Sequence, residues 1–256
     1  MHKVEKKRQK KEYKQALKEI IPKYLSYLHF CRKNKFPSQI KQIVERLNFY
    51  YDFVDHNSPY SPQAKVQSSI LEEFLYLLFE EKVRKINEKN SSIYSGSANA
   101  YSNLYFIPDP QKGNDEYEIG VQKKQQDYAI YRKFGLDQVF SKQAALKIKD
   151  SGLNVPIVAI ECKTYIDKTM LDAAIALAEK LKSGNPQSLF LVVAEEYDIS
   201  EQVDPSYSRI DQIYILRKNK KKQKNDKNYK KKKIQADVVS ELYRRVCQHL
   251  VPRLLG

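Results

Sequence analysis

The sequence predicts an α/β protein: helices first, then a central mixed sheet flanked by helices. Three observations predict it. Apolar residues recur at spacings of three and four through the first third of the chain. After residue 103 the pattern changes to short segments rich in Tyr, Ile and Val. Two continuous apolar runs, residues 155–160 and 188–194, then bracket a stretch of helical periodicity. That last pattern is a strand–helix–strand crossover within one sheet.

The elements follow in order. Residues 12–32 place Tyr13, Leu17, Ile20, Ile21, Tyr24, Leu25 and Leu28 on one helical face, with Pro22 expected to kink or break the helix. Pro37 and Ser38 open a second helix carrying Ile40, Ile43, Val44, Leu47 and Tyr51. Residues 58–62, with two prolines, read as a turn. A long helix over 63–88 should follow, striped by Ile70, Leu71, Phe74, Leu75 and Leu78. In residues 90–103, nine of fourteen are Ser, Asn or Gly, which predicts a loop. Residues 104–107, 117–121 and 127–131 read as strands. The run 155–160 reads as a strand buried on both faces. Residues 167–182 then form a helix striped by Met170, Ala173, Ala174, Leu177, Ala178 and Leu181, which Gly184, Asn185 and Pro186 stop. Strands over 188–194 and 210–216 and a helix over 234–251 complete the chain. The division expected is an N-terminal helical region, 1–62, and a main unit, 63–256.

Composition narrows the function. The 256 residues carry 46 Lys and Arg against 31 Asp and Glu, a formal net charge of +15. No apolar stretch approaches the length of a membrane span. Residues 1–18 are charged, with no apolar run of the kind a secretory signal needs. Cys31, Cys162 and Cys247 are odd in number and far apart, and His2, His29, His56 and His249 show no ligand spacing. A disulfide framework and a zinc module are therefore not expected. The expectation is a soluble, cytoplasmic protein. The charge is concentrated: residues 217–233 hold eleven Lys or Arg and one acid, and the first twenty residues hold eight basic and three acidic side chains. The lysine run should be a solvated loop. It suits a polyanion such as nucleic acid, and equally suits a flexible loop of a lysine-rich proteome.

The chemistry centres on Glu161, Cys162 and Lys163, at the end of the buried strand 155–160. The chain has four acid-x-Lys triplets, but the other three, at Glu5, Glu12 and Glu80, lie in charged helical stretches. Residues two apart in a strand share a face, so Glu161 and Lys163 project together and Cys162 turns into the packing. An ordinary ion pair at a strand end would explain them. Asp127, within a strand-like segment, adds a second carboxylate if the two strands are neighbours. Two carboxylates at one point repel unless a cation lies between them, and a hard divalent ion such as Mg²⁺ takes oxygen ligands. A lysine beside such a site can orient or deprotonate a water, or stabilise charge on a phosphorane-like transition state.

Asp127, then Glu161-x-Lys163, then a helix and a further strand resembles the PD-(D/E)XK nuclease superfamily. Gln126-Asp127-Tyr128-Ala129-Ile130, the stretch from Ile160 to Asp172, and the stretch from Asp204 to Tyr214 resemble type II restriction endonucleases of the BbvCI-like group. Gln126 stands where the superfamily usually has Pro. The resemblance covers residues 63–216 and implies a PD-(D/E)XK nuclease core with an N-terminal helical extension. It implies Mg²⁺-dependent hydrolysis of double-stranded DNA at a short, nearly palindromic site. Asp127 and Glu161 would ligate Mg²⁺, the Cys162 carbonyl would be a further ligand, and Lys163 would handle the water or the developing charge. A further acid is expected from the long helix. Glu72 and Glu73 are the candidates, helical geometry does not choose between them, and Glu73 is taken. Cleaving both strands implies a homodimer, or a heterodimer with a second nuclease subunit.

Other residues read more simply. Cys162 is a buried small residue rather than a nucleophile, Asp167 a helix N-cap, and Arg209 a DNA contact or an ion-pair partner of Asp204 or Asp211. The Ser/Asn-rich stretch 90–103 is either a connector or a groove-reading loop. The rival functions are a shape-reading repair or junction nuclease of the same fold, and a non-catalytic DNA-binding protein.

Overall fold

The computed structural model describes residues 2–34, 36–56, 65–89, 92–108, 117–135, 152–199, 207–218 and 231–254. Helices α1 (His2–Lys33), α2 (Ile40–His56) and α3 (Lys65–Asn87) come first. Strands β1 (Ile93–Pro108), β2 (Tyr117–Gly135) and β3 (Gly152–Asp167) follow, then α4 (Lys168–Gly184), β4 (Leu189–Asp198), β5 (Gln212–Ile215) and α5 (Ala236–Leu254). The sheet order is β1-β2-β3-β4-β5. The first two pairings are antiparallel and the last two parallel. The mixed sheet and the β3–α4–β4 crossover are therefore as the apolar runs predict.

Strand alternation divides the core between the two faces. Val158 and Ile160 of β3 with Leu189, Leu191 and Val193 of β4 pack with apolar residues of α1, α2, α3 and α5. Ala159, Phe190, Val192 and Ala194 face the other way, against Leu171, Ala174, Ala178 and Leu181 of α4. Small residues in that second layer let α4 lie close to the sheet. No helix among the described residues is long and apolar enough to cross a membrane.

Several expectations change. Residues 93–103 are not a loop: they are the first two thirds of β1, paired with β2. Composition misleads there because small side chains fill tight packing. Ala98, Ala100 and Ser102 are buried while Asn99 and Asn103 are exposed, an alternation hidden by the absence of large apolar residues. The segments 117–121 and 127–131 are one long strand. Pro22 does not break α1. It removes one backbone donor, whose acceptor would be the carbonyl of exposed Lys18, so the unpaired group faces solvent. Arg217 is not part of a solvated run. It is 2% exposed, donates from Nε to Glu195 at 2.9 Å, and also bonds the Lys232 carbonyl. Lys231 reaches the same Glu195 oxygen at 3.1 Å and Asp55 at 3.2 Å. Residues 219–230 of the lysine run, and the turn at 58–62, lie outside the described residues.

Two glycines have specific reasons. Gly96 has φ of +132°, which side chains rarely adopt, at a point where the β1–β2 register slips. At Gly184 a Cβ would stand 2.0 Å from the Ser102 carbonyl oxygen, so only glycine lets the end of α4 meet β1.

Candidate active site

The site begins with the β2–β3 pairing, in which Tyr128 stands opposite Ile160. That register sets Asp127 against the Glu161-Cys162 segment, and the Cys162 amide donates to Asp127 Oδ2 at 2.8 Å. On the other side of β2, Gly96 pairs with Ala129 and Ala98 with Gln126. Three steps of β2 thus face two of β1, a bulge at Asp127 and Tyr128. Such bulges re-aim side chains at sheet margins. Glu161 and Lys163 project together, with Lys163 Nζ 2.6 Å from Glu161 Oε1. Cys162, between them, packs against the helical core. Burial, followed by the Asp127 carboxylate, pushes its thiol well above the usual range, so it is held protonated and is a poor nucleophile.

The electrostatics show surplus negative charge. Burial and then Asp127 push the Glu161 carboxyl up, and the Lys163 and Lys124 charges offset this only in part. Burial opposes charging of Lys163, but its bond to Glu161 and the charges of Glu161 and Asp127 outweigh it and hold the ammonium above its usual range. Glu72 of α3 joins the same field. Burial, then Asp127, then Glu161 raise its carboxyl, while Lys163 lowers it.

The third acid concerns the choice between Glu72 and Glu73. Glu73 is not brought to this cluster; its Oε1 accepts the Tyr24 hydroxyl of α1. One residue is about 100° of helical turn, so neighbouring acids on α3 serve different surroundings. Helix periodicity alone leaves them equivalent, and only the placement of α1 separates them. The other expected side chains are accounted for. Asp167 caps α4, accepting the Met170 amide at 2.8 Å. Arg209 pairs with Glu179 at 2.9 Å rather than with Asp211, whose carboxylate takes Lys182 and the Phe190 amide. Asp204 lies outside the described residues.

The donor set fits a hard divalent cation. Asp127, Glu161 and Glu72 supply oxygen, and the thiol of Cys162 is held neutral by burial. Among the described residues no three His, Cys, Asp or Glu side chains are gathered tightly enough to enclose a metal ion by themselves. A cation at Asp127 and Glu161 would therefore keep further oxygen ligands from water or substrate, as Mg²⁺ commonly does.

Comparison with known proteins bears on the family and the fold. Residues 63–248 match the family described as Bpu10I restriction endonuclease. No curated protein sequence matches the chain. Among solved structures, the fold resembles one described as the native BbvCI A2B2 tetramer at low resolution. That similarity has a TM-score of 0.69 at 19% identity, and spans 98% of this chain and 92% of the other. It therefore includes α1 and α2, which the family match does not reach.

Proposed function

Because the chain belongs to the Bpu10I restriction endonuclease family, and is thus a type II restriction endonuclease that hydrolyses DNA, we propose that Asp127, Glu161 and Lys163 carry the reaction with Mg²⁺ as cofactor. The supporting observation is the convergence of Asp127 with Glu161 and Lys163 across one strand pair, tied by the bond from the Cys162 amide to Asp127. Asp127 and Glu161 would hold the cation, with the Cys162 carbonyl as a further ligand and Glu72 as the supporting acid. When bound, Mg²⁺ supplies positive charge to the scissile phosphate and makes a bound water more acidic. Lys163 sets its ammonium beside Glu161, where it orients the attacking water and balances charge developing on the phosphate. The water oxygen bonds to phosphorus in line with the leaving group. The bond to the 3′ oxygen breaks, leaving 5′-phosphate and 3′-hydroxyl ends.

One such set makes one cut. Cleavage of both strands needs two copies of the site, so we infer a homodimer or a pairing with a second nuclease subunit. The structure of similar fold is described as an A2B2 tetramer, which favours an assembly above the monomer. The test is Lys163→Ala. DNA binding should persist while cleavage falls about 10²-fold or more. Retained cleavage would remove Lys163 from the reaction.

A further inference from the structure

The β1–β2 pair continues past the central sheet. β3 pairs with β2 from Tyr128 to Gly135, whereas β1 follows β2 from Arg132 out to Tyr117. Beyond the bulge at Asp127, the two strands form a ribbon braced against the rest of the fold. Ala98, Ala100 and Ser102 are buried on its inner side, the end of α4 meets Ser102, and the Asn154 amide donates to the Asn99 carbonyl at 3.1 Å.

The outer side is polar in a particular way. Two successive cross-strand pairs occupy it, Asn99 with Gln125 and Tyr101 with Lys123, before a register slip between Tyr101 and Asn103 turns the next pair, Asn103 with Gln122, to the other side. Asn99 and Gln125 are exposed. Lysine on a sheet margin is an ordinary guard against edge pairing. Asparagine is depleted in strands, and paired Asn/Gln side chains neither pack a core nor carry a repelling charge. They are the side chains that bind adenine edges in two-point contacts, as lysine binds guanine, and a two-stranded ribbon fits the major groove of DNA. The ribbon is also continuous with the cutting site. Gln125 lies two residues from Asp127 and Lys123 four, spans of about 7 and 13 Å along a strand. Lys124, on the same strand, is felt by Glu161. Bases touched by this face would lie within about four steps of the cut phosphate, at 3.4 Å per base.

We propose that the outer face of the β1–β2 ribbon, through Asn99, Gln125 and Lys123, reads base edges in the major groove and sets the recognition sequence. The proposal rests on the chain being a sequence-specific endonuclease. It makes the Ser/Asn-rich stretch a rigid reading element rather than a loop.

The experiment is cleavage of a randomised duplex library with Mg²⁺, sequencing the cut ends. The wild type is compared with Asn99→Ala, Lys123→Ala, Gln125→Ala and the near-isosteric Gln125→Met, each checked by thermal melting. Each variant should lose discrimination at one base position, with preference there falling about 5- to 150-fold. Folded variants whose cut-site profile matches the wild type, or whose cleavage falls equally on every sequence, would overturn the proposal. A wild type that cuts at no fixed sequence would instead overturn the reading beneath it.

Discussion

Glu72 and Glu73 are neighbours on α3, and the structure predicts opposite consequences for neutralising them. Glu73 accepts the Tyr24 hydroxyl, a bond that ties α1 to α3. Burial and then that bond raise the Tyr24 phenol well above its usual range, so the donor stays protonated. A hydrogen bond to a charged group contributes about 1.5–3 kcal/mol. For a protein of this size that is roughly 3–12 °C in Tm. Glu73→Gln keeps an acceptor for the Tyr24 hydroxyl and loses only the charge, so it should lower Tm by about half of that and leave metal dependence unchanged. Glu72 is instead raised by burial, Asp127 and Glu161. A carboxyl raised in the folded state binds more protons there than in the unfolded chain, so stability falls as pH rises through that window. Glu72→Gln should therefore raise Tm in EDTA at neutral pH, and the gain should vanish below the ordinary carboxyl value of 4.5. The same change should cost about 10- to 100-fold in cleavage or in Mg²⁺ affinity, as loss of a supporting acid does. The assays are melting in EDTA at pH 4 and pH 7, and nicking rate against Mg²⁺ concentration. Lost cleavage with unchanged Tm in Glu73→Gln, beside full activity in Glu72→Gln, would refute the assignment.

Two further predictions concern the rest of the chain. Glu195 and Arg217 are almost fully buried, so Glu195→Gln strands a guanidinium and should cost about 3–5 kcal/mol, or roughly 6–20 °C in Tm. Glu195→Leu with Arg217→Met should recover much of this, and a double variant as unstable as the sum of its singles would contradict the buried-pair account. Deleting residues 219–230, which hold six lysines and one acid, should weaken DNA binding evenly across sequences and flatten its salt dependence. A binding titration over salt concentration checks it, and an unchanged slope would count against a DNA contact by that segment.

What the sequence discloses follows from where side-chain size carries the signal. The apolar runs at 155–160 and 188–194 and the stripe of α4 expose the parallel half of the sheet, because buried strands and crossover helices repeat apolar residues in fixed periods. Glu161 and Lys163 stand out because they end such a run, and Asp127 because the segment around it reads as a strand. β1 is hidden because its buried positions are Ala98, Ala100 and Ser102, small enough to look like loop composition. The choice between Glu72 and Glu73 depends on Tyr24, 49 residues earlier, a tertiary fact with no local trace. Arg217 looks like the start of a lysine run, yet Glu195 draws it inside. A basic residue's neighbours in sequence do not report its partner in space.

The central claim is that Asp127, Glu161 and Lys163 form a Mg²⁺-dependent nuclease centre. Digestion of plasmid DNA with purified protein, in Mg²⁺ and in EDTA, beside Glu161→Ala, tests it most directly. The account predicts cleavage in Mg²⁺ that EDTA abolishes and that Glu161→Ala lacks while still binding DNA. Discrete fragments would show that the chain assembles two sites unaided, and nicked circles that it supplies one strand's cut. Cleavage that survives EDTA, or that Glu161→Ala retains in full, would contradict the account.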